Sequence, residues 1–363
     1  MTIFHWSTLY GPSVAVPEWA SGIIRGGYLG VDLFFMLSGA VIAHSAMNRT
    51  WSGFARARFL RLFPAFFAIS LVVALALFGA RTLGRGEEFA PDTIVGLTGL
   101  TFWTGGVIIV PPAWTLEFEV QFYLLIAVLV LISRNKLTPA RLLAGSYVYF
   151  LVWLLAHAAD SRLLEVVTIY ESGPLFILGA LLGISTTRER LRTNGPAILI
   201  ALTLTYHGLI GRTAEMGVSG SLQVVWILCV MGLAVSTIMW ASLRPPGRIR
   251  HPRRRKQIQT LSLMTYPIYL LHFDVGMGVI RFIGGLGVDI TMAVLGASVL
   301  VLALSWLSVR VYEPWARRLI RRAFGWDEKV VNDERVESDS SEHSRSRQVP
   351  AADDPSRTDR QPA

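Results

Sequence analysis

The sequence predicts an all-α, polytopic membrane protein, and three observations carry that expectation. Of 363 residues, 52% are hydrophobic and only 16% charged, and the mean hydropathy is +0.48. A soluble domain carries about 25% charged residues. The hydrophobic residues are also clustered. "AFFAISLVVALALFGA" (65–80) and "MAVLGASVLVLALSWLSV" (292–309) hold no charge over roughly the length of helix that crosses a bilayer. Finally, Lys and Arg concentrate between such runs, as in "RRRK" at 253–256.

Taken in order, the apolar segments fall at 28–46, 62–80, 114–133, 142–158, 173–186, 196–211, 221–241, 260–281 and 288–310. Charge placement orients them, because cytoplasmic loops are enriched in Lys and Arg. Residues 47–61 carry Arg49, Arg56, Arg58 and Arg61 and are placed inside. Alternation then puts 134–141, 187–195, 242–259 and the chain after 310 inside, all of them basic. The outside loops are 81–113, 159–172 and 212–220, which are acidic or mixed. The stretch 94–110 is apolar but rich in Gly and Thr, with "PPAW" following. Counting it as a span would put the later basic loops outside, so a re-entrant or peripheral segment is expected there. "MTIFHWSTLYG" at the start is too short to cross a bilayer, so the N-terminus starts outside or a first helix is cut short. Residues 1–322 form the transmembrane domain in this scheme. The polar, Pro/Ser-rich residues 323–363 are expected to be a disordered cytoplasmic tail.

Composition also narrows the chemistry. The net charge of +9 would suggest nucleic acid for a soluble protein, but here it reflects the basic inner loops, and no nucleic-acid partner is expected. The single cysteine, Cys229, excludes an internal disulfide, and there is no metal-binding cysteine pattern. No metal site is expected. No cleavable signal peptide is evident, since no basic segment precedes a long apolar run. No internal repeat is evident either.

Several polar residues inside the spans demand explanation, because an ionisable group within a membrane helix is a functional-site hypothesis by default. Asp32 lies about one turn inside the outer end of its helix. Two readings stand: an acid that caps or pairs between helices, and an acid facing a polar cavity. Glu119 lies one turn before Tyr123 on one helix face. Glu117 is nearer the outer surface, where water could solvate it. Tyr266, Tyr269 and His272 follow at intervals of three, a spacing that makes one polar stripe. Pro267 in the same helix frees a backbone carbonyl. Arg58 and Arg61 sit one turn apart before Pro64. They suit a positive-inside anchor, or a cytoplasmic phosphate or coenzyme site, for which the guanidinium fork is shaped. His5, His44, His157 and His207 say little by themselves.

Four motifs occur in one order: "GYLGVDLFFMLSGAVI" (27–42), "FARARFLRLFPAFF" (54–67), "AWTLEFEVQFYLL" (113–125) and "YPIYLLHF" (266–273). Together they resemble the integral-membrane acyltransferase family 3, whose members O-acylate sugars of lipopolysaccharide, exopolysaccharides, peptidoglycan, Nod factors and macrolides. The resemblance spans roughly 5–315. It implies about nine to ten transmembrane helices around a central cavity, in the bacterial plasma (inner) membrane, with the C-terminus cytoplasmic. It implies no bound cofactor and two substrates. Cytoplasmic acyl-CoA, by default acetyl-CoA, is the donor, and a glycan or glycosylated molecule is the acceptor. The family's catalytic His ends a motif of Arg, ten residues, then His in the first helix. "IFHW" matches the His end, which makes His5 the candidate base. Only four residues precede it, so the Arg half is missing and the first helix is expected to be truncated. The resemblance further assigns Asp32 and Glu119 to the catalytic group. Arg58, Arg61, Tyr269 and His272 are assigned to substrate or acyl-CoA binding. Thr115 replaces the family's Ser.

Such a reaction needs a base to take the proton of a sugar hydroxyl as it attacks a thioester. A neutral imidazole suits that step, and a carboxylate can orient it. In the expected topology His5, Asp32 and Glu119 all lie in outer halves of their helices, a placement that allows them to meet in one cavity. A transporter or flippase with an intramembrane carboxylate and histidine relay is the alternative that buried charges alone leave open. The absence of an evident repeat disfavours many transporter folds.

Overall fold

The computed structural model describes residues 26–47, 49–82, 108–169, 171–215, 220–243 and 251–326. Among them there is no strand, and nine segments are long and apolar enough to cross a membrane. Chain contacts divide the molecule into Met1–Leu319 and Ile320–Ala363. The described part of the second unit ends at Trp326, whose ring stacks on Phe324 and whose amide donates to the Arg321 carbonyl (2.8 Å). The helical bundle is the first unit.

A short 3-10 turn, Gly26–Leu29, leads into α1 (Gly30–Ala46). Next come α2 (Trp51–Thr82), α3 (Trp114–Ile132, entered through the turn Pro111–Ala113) and α4 (Pro139–Ala158). The short α5 (Arg162–Thr168) and the apolar α6 (Gly173–Ile184) together make one candidate span, Leu163–Ile184. Then follow α7 (Arg188–Glu215), α8 (Gly220–Leu243) and α9 (Pro252–Leu271). A π-helical turn, His272–Gly276, joins α9 to α10 (Met277–Gly285). A second, Ser308–Tyr312, joins α11 (Ile290–Leu307) to α12 (Glu313–Ala323).

Local chemistry explains several starts. Thr138 accepts a hydrogen bond from the Arg141 amide (3.3 Å) and Pro139 opens α4. A side-chain cap and a proline at the first position are both suited to a helix start. Asp289 caps α11 through the Thr291 amide (2.8 Å). The helix ends differ from the sequence expectation in one consistent way. Arg56, Arg58 and Arg61 lie within α2 rather than in a connecting segment, and the basic residues at 188–192 and 253–256 form the first turns of α7 and α9. Continuing the helix keeps backbone groups paired next to an apolar medium, and long cationic side chains reach polar surroundings from helical positions. His5, the expected truncated first helix, most of 94–110 and the tail beyond 326 lie outside the described residues.

The centre of the bundle is α6. Its span is 82% buried, against 22% for the spans built on α8 and α11, whose surfaces are mostly uncovered among the described residues. α6 crosses α1 at glycines. A Cβ on Gly39 would collide with the Phe176 carbonyl, and one on Gly179 with the Met36 carbonyl. Small residues at a crossing let two backbones approach, which is how membrane helices gain packing without a hydrophobic driving force. Phe35 fills the adjacent space, with ring centroids 4.8 Å from Phe176, 6.2 Å from Phe118 and 6.3 Å from Trp114.

This contact sets a test of the fold. Gly179→Leu forces a side chain into the α1 backbone, and overpacking of a tight core costs about 1–3 kcal/mol. The expected outcome is a lower melting temperature and loss of the monodisperse peak in size-exclusion chromatography. Gly232→Leu, where nothing lies within 4 Å of the added Cβ, should leave both unchanged.

Candidate functional site

The bundle's buried polar residues fall into two clusters. The first begins at Asp32, in the first turn of α1 and 1% exposed. Its Oδ1 accepts a hydrogen bond from Nη1 of Arg212, in the last turn of α7, as an ion pair. Nη2 of Arg212 donates to Ser172 Oγ (3.2 Å) and lies 3.7 Å from Glu171 Oε2. Tyr28 lies within electrostatic reach of both charges. Gln223 of α8 donates to the Thr213 hydroxyl and to the Ile210 carbonyl (2.8 Å), closing the same corner. Of the two readings of Asp32, this geometry supports pairing between helices. Asp32 Oδ2 has no hydrogen-bond partner among the described residues.

Arg212 was expected in an outer loop, yet it lies in a helix. Thr205, Leu209 and Thr213 are buried at intervals of four, so the helical period runs through the segment. A membrane carboxylate asks for a named cationic partner, and that demand was the available signal for Arg212.

The second cluster centres on Glu119 of α3. Tyr123, one turn later, donates its hydroxyl hydrogen to Glu119 Oε1 at 2.5 Å. Arg58 of α2 places its guanidinium 5.7 Å from the ring centroids of both Phe54 and Tyr123, a cation–π arrangement. Its Nη2 donates to Ser45 Oγ of α1 at 2.8 Å. Arg58 and Arg61 both act electrostatically on Glu119. Arg61 also reaches Tyr266 of α9 and Glu313 of α12. Glu313 pairs with Arg317, whose Nε donates to the Leu60 carbonyl (3.0 Å). Two buried groups here, Arg58 Nε and the Tyr266 hydroxyl, have no hydrogen-bond partner among the described residues.

The "WTLE" and "YLLH" motifs meet beside this cluster. The Tyr269 hydroxyl donates to the Pro112 carbonyl (3.0 Å) and accepts from Thr115 Oγ1 (3.0 Å). Phe34 of α1 stacks on the Tyr269 ring, 6.2 Å between centroids, and Glu119 acts electrostatically on Tyr269. His272 is fully buried and opens the π-helical turn. Its Nδ1 lies 2.6 Å from the Tyr269 carbonyl. A carbonyl can only accept, so Nδ1 carries the hydrogen in this contact. Single π turns inside membrane or soluble helices recur at functional positions.

The structure thus gathers Glu119, Arg58, Arg61, Tyr269 and His272 in one region. Asp32 and Glu119 have different partners: those of Asp32 lie on α7 and in the turn before α6. Glu117 is buried at 5% exposure rather than solvated. His5 lies outside the described residues. Among the described residues, no group of three or more His, Cys, Asp and Glu could hold a metal ion.

Removing one partner of a buried ion pair strands the other charge, at a cost of about 3–5 kcal/mol. Arg212→Ala is therefore expected to lower the melting temperature strongly. Combining it with Asp32→Asn should recover much of that loss, because no uncompensated charge remains. Equal melting temperatures for Arg212→Ala and wild type would show that the pair carries no stability.

Comparison with known proteins gives this arrangement its context. A family model described as an acyltransferase domain matches residues 1–310. "Protein 2 in picA locus" of Rhizobium radiobacter is 35% identical over 120 residues, covering 25% of this chain and 60% of that protein. The chain thus spans about 60% of the length of that relative. No solved structure matches. A helical membrane chain matched by the acyltransferase model over 1–310, with its four sequence motifs carried on α1, α2, α3 and α9, belongs to acyltransferase family 3.

Proposed function

We propose that the protein is a membrane-embedded O-acyltransferase. It moves an acyl group, by default acetyl, from cytoplasmic acyl-CoA to a hydroxyl of a carbohydrate or glycosylated acceptor at the bacterial plasma membrane. The observation that carries this reading is the buried Glu119–Tyr123 pair set against Arg58 and Arg61, with Arg58 Nε and the Tyr266 hydroxyl left unpartnered. A cationic pair with spare donors beside a buried carboxylate is a site prepared for an anionic ligand.

In this reading each side chain has a distinct task. Arg58 and Arg61 take the phosphates of the coenzyme, for which planar guanidinium groups are suited. Tyr269 and His272 line the acyl and acceptor region. The base, His5, removes the acceptor hydroxyl proton as that oxygen attacks the thioester carbonyl. The carbon–sulfur bond then breaks, and the coenzyme thiolate leaves and is protonated. Glu119, held by Tyr123, stabilises the protonated base or orients it. Asp32, already paired with Arg212, holds the first turn of α1 in place and takes no part in bond making.

The test is acyl-CoA-dependent release of free coenzyme by purified protein in nanodiscs, with candidate glycans as acceptors. General acid–base catalysis is worth about 10²–10⁴-fold. Glu119→Gln and His5→Ala are each expected to lose at least about 100-fold in kcat. Arg61→Ala is expected to raise KM for the donor with a smaller effect on kcat. Wild-type turnover by His5→Ala at matched expression would remove His5 as the base. No acyl transfer to any hydroxyl acceptor would remove the enzymatic reading.

A further inference from the structure

A cavity lies apart from the clusters above. It is a trough of about 530 Å³ between α3 and α4, within the range of roughly 300–1,000 Å³ typical of ligand sites. Its lining runs from Phe122 to Ile132 on α3 and from Arg141 to Val152 on α4, with Ile177 of α6 also lining it. At 1.5 Å per residue, that is about 15 Å of helix on each side. The trough opens on lipid-facing helix surface, where Val128, Ile132 and Val148 are exposed.

The walls are apolar in effect. The few polar side chains along them are already bonded to backbone: Ser146 to Leu142 O (2.9 Å), Tyr149 to Thr168 O (2.8 Å) and Thr168 to Leu164 O (2.7 Å). One end is different. Arg134 and Arg141 line it, and Lys136 lies in the same turn. Neither arginine is in an ion pair with a carboxylate among the described residues. Arg141 is held in place through Nη1, which donates to the Ser133 (2.8 Å) and Lys136 (2.6 Å) carbonyls. The turn itself is fixed. Arg134 and Asn135 both take left-handed backbone angles (φ 52° and 58°), and Asn135 Oδ1 accepts from the Trp51 amide at 3.0 Å.

We propose that this trough is a binding site for an anionic phospholipid, with its phosphate on Arg134 and Arg141 and one acyl chain along the α3–α4 walls. An apolar channel open to the bilayer and ending at unpaired cations matches that amphiphile in shape and charge. Basic pockets between membrane helices bind anionic headgroups in this way. The site is independent of the acyl-transfer reading, because none of its lining residues belongs to the Glu119 cluster.

Native mass spectrometry of the protein with phosphatidylglycerol or phosphatidylcholine tests it. Each cation near a lipid phosphate contributes about five-fold in affinity. Wild type should therefore retain phosphatidylglycerol over phosphatidylcholine by about 25-fold. Arg134→Gln removes an exposed side chain and should cut phosphatidylglycerol retention about five-fold with no change in melting temperature. Gly145→Trp should block both lipids, since even a Cβ there meets the Leu129 side chain at 3.0 Å. Equal retention of the two lipids, or full retention by Arg134→Gln, would overturn the proposal. So would displacement of the lipid by long-chain acyl-CoA with the same dependence on Arg134, which would make the trough a donor site.

Discussion

A charge inside a bilayer has no water to turn to, so it must find its partner within the protein, and that constraint orders this bundle. Asp32 interrupts the apolar α1 and is answered by Arg212 from α7, with Ser172 and Glu171 sharing the guanidinium. Glu119 interrupts α3 and is answered by Tyr123 on the same face and by Arg58 and Arg61 from α2. Glu313 at the start of α12 is answered by Arg317, which is itself bonded to the α2 backbone. Asp32 and Glu119 are answered in part from a different helix, and the Glu313–Arg317 pair, within α12, is tied to α2 through the Leu60 carbonyl, so each one fixes a helix neighbour as well as neutralising a charge. Packing alone specifies neighbours weakly in lipid, where one apolar surface resembles another. Buried charges and close glycine crossings are selective.

α1 is the element that joins these demands. Near one end Asp32 engages α7. At the middle Gly39 lies against the α6 backbone, and Phe34 and Phe35 turn toward Tyr269, Trp114 and Phe118. Near the other end Ser45 accepts from Arg58. Asp32 and Ser45 are thirteen residues apart in the sequence, about 20 Å along a helix. A single rigid rod therefore contacts the Asp32–Arg212 pair, the aromatic wall and the arginine pair at three depths. For a reaction proposed to bring a donor and an acceptor together within the membrane, a shared strut fixes the distance between the groups that receive them.

Much of this was legible in the sequence. Nine apolar runs gave nine candidate spans, because a bilayer demands a length that hydropathy reports directly. The four motifs located α1, α2, α3 and α9, and Glu119, Arg58, Arg61, Tyr269 and His272 do gather in one region. Helix ends were less legible. Hydropathy falls where Arg56, Arg188 or Arg253 enters, but the backbone there stays helical because its hydrogen bonds stay satisfied. Partners were least legible of all. Asp32 announced a need for a cation, yet Arg212 lies 180 residues away in the chain, and no local pattern connects the two. Glu117 is similar: proximity to a helix end suggested solvation, whereas the fold buries it.

The separation of the two clusters has a further consequence for Asp32. A carboxylate that orients a catalytic imidazole must keep a lone pair and a favourable field for it. Arg212 already claims Oδ1 of Asp32, and a paired carboxylate exerts a weaker field on any other cation. Glu119 differs, since its hydrogen-bond partner is a neutral phenol and the nearby Arg58 and Arg61 act on it through space rather than by direct contact. Of the two acids, Glu119 therefore retains more capacity to stabilise an imidazolium, and Asp32 has more to do with keeping α1 and α7 in register. Conservative replacement separates these roles on physical grounds. On the proposed reading, a neutral isostere at Glu119 removes the field the base would use, whereas the same change at Asp32 takes from Arg212 its buried partner and leaves only the exposed Glu171 at 3.7 Å. If the protein works as proposed, the first defect falls on the reaction and the second on the fold.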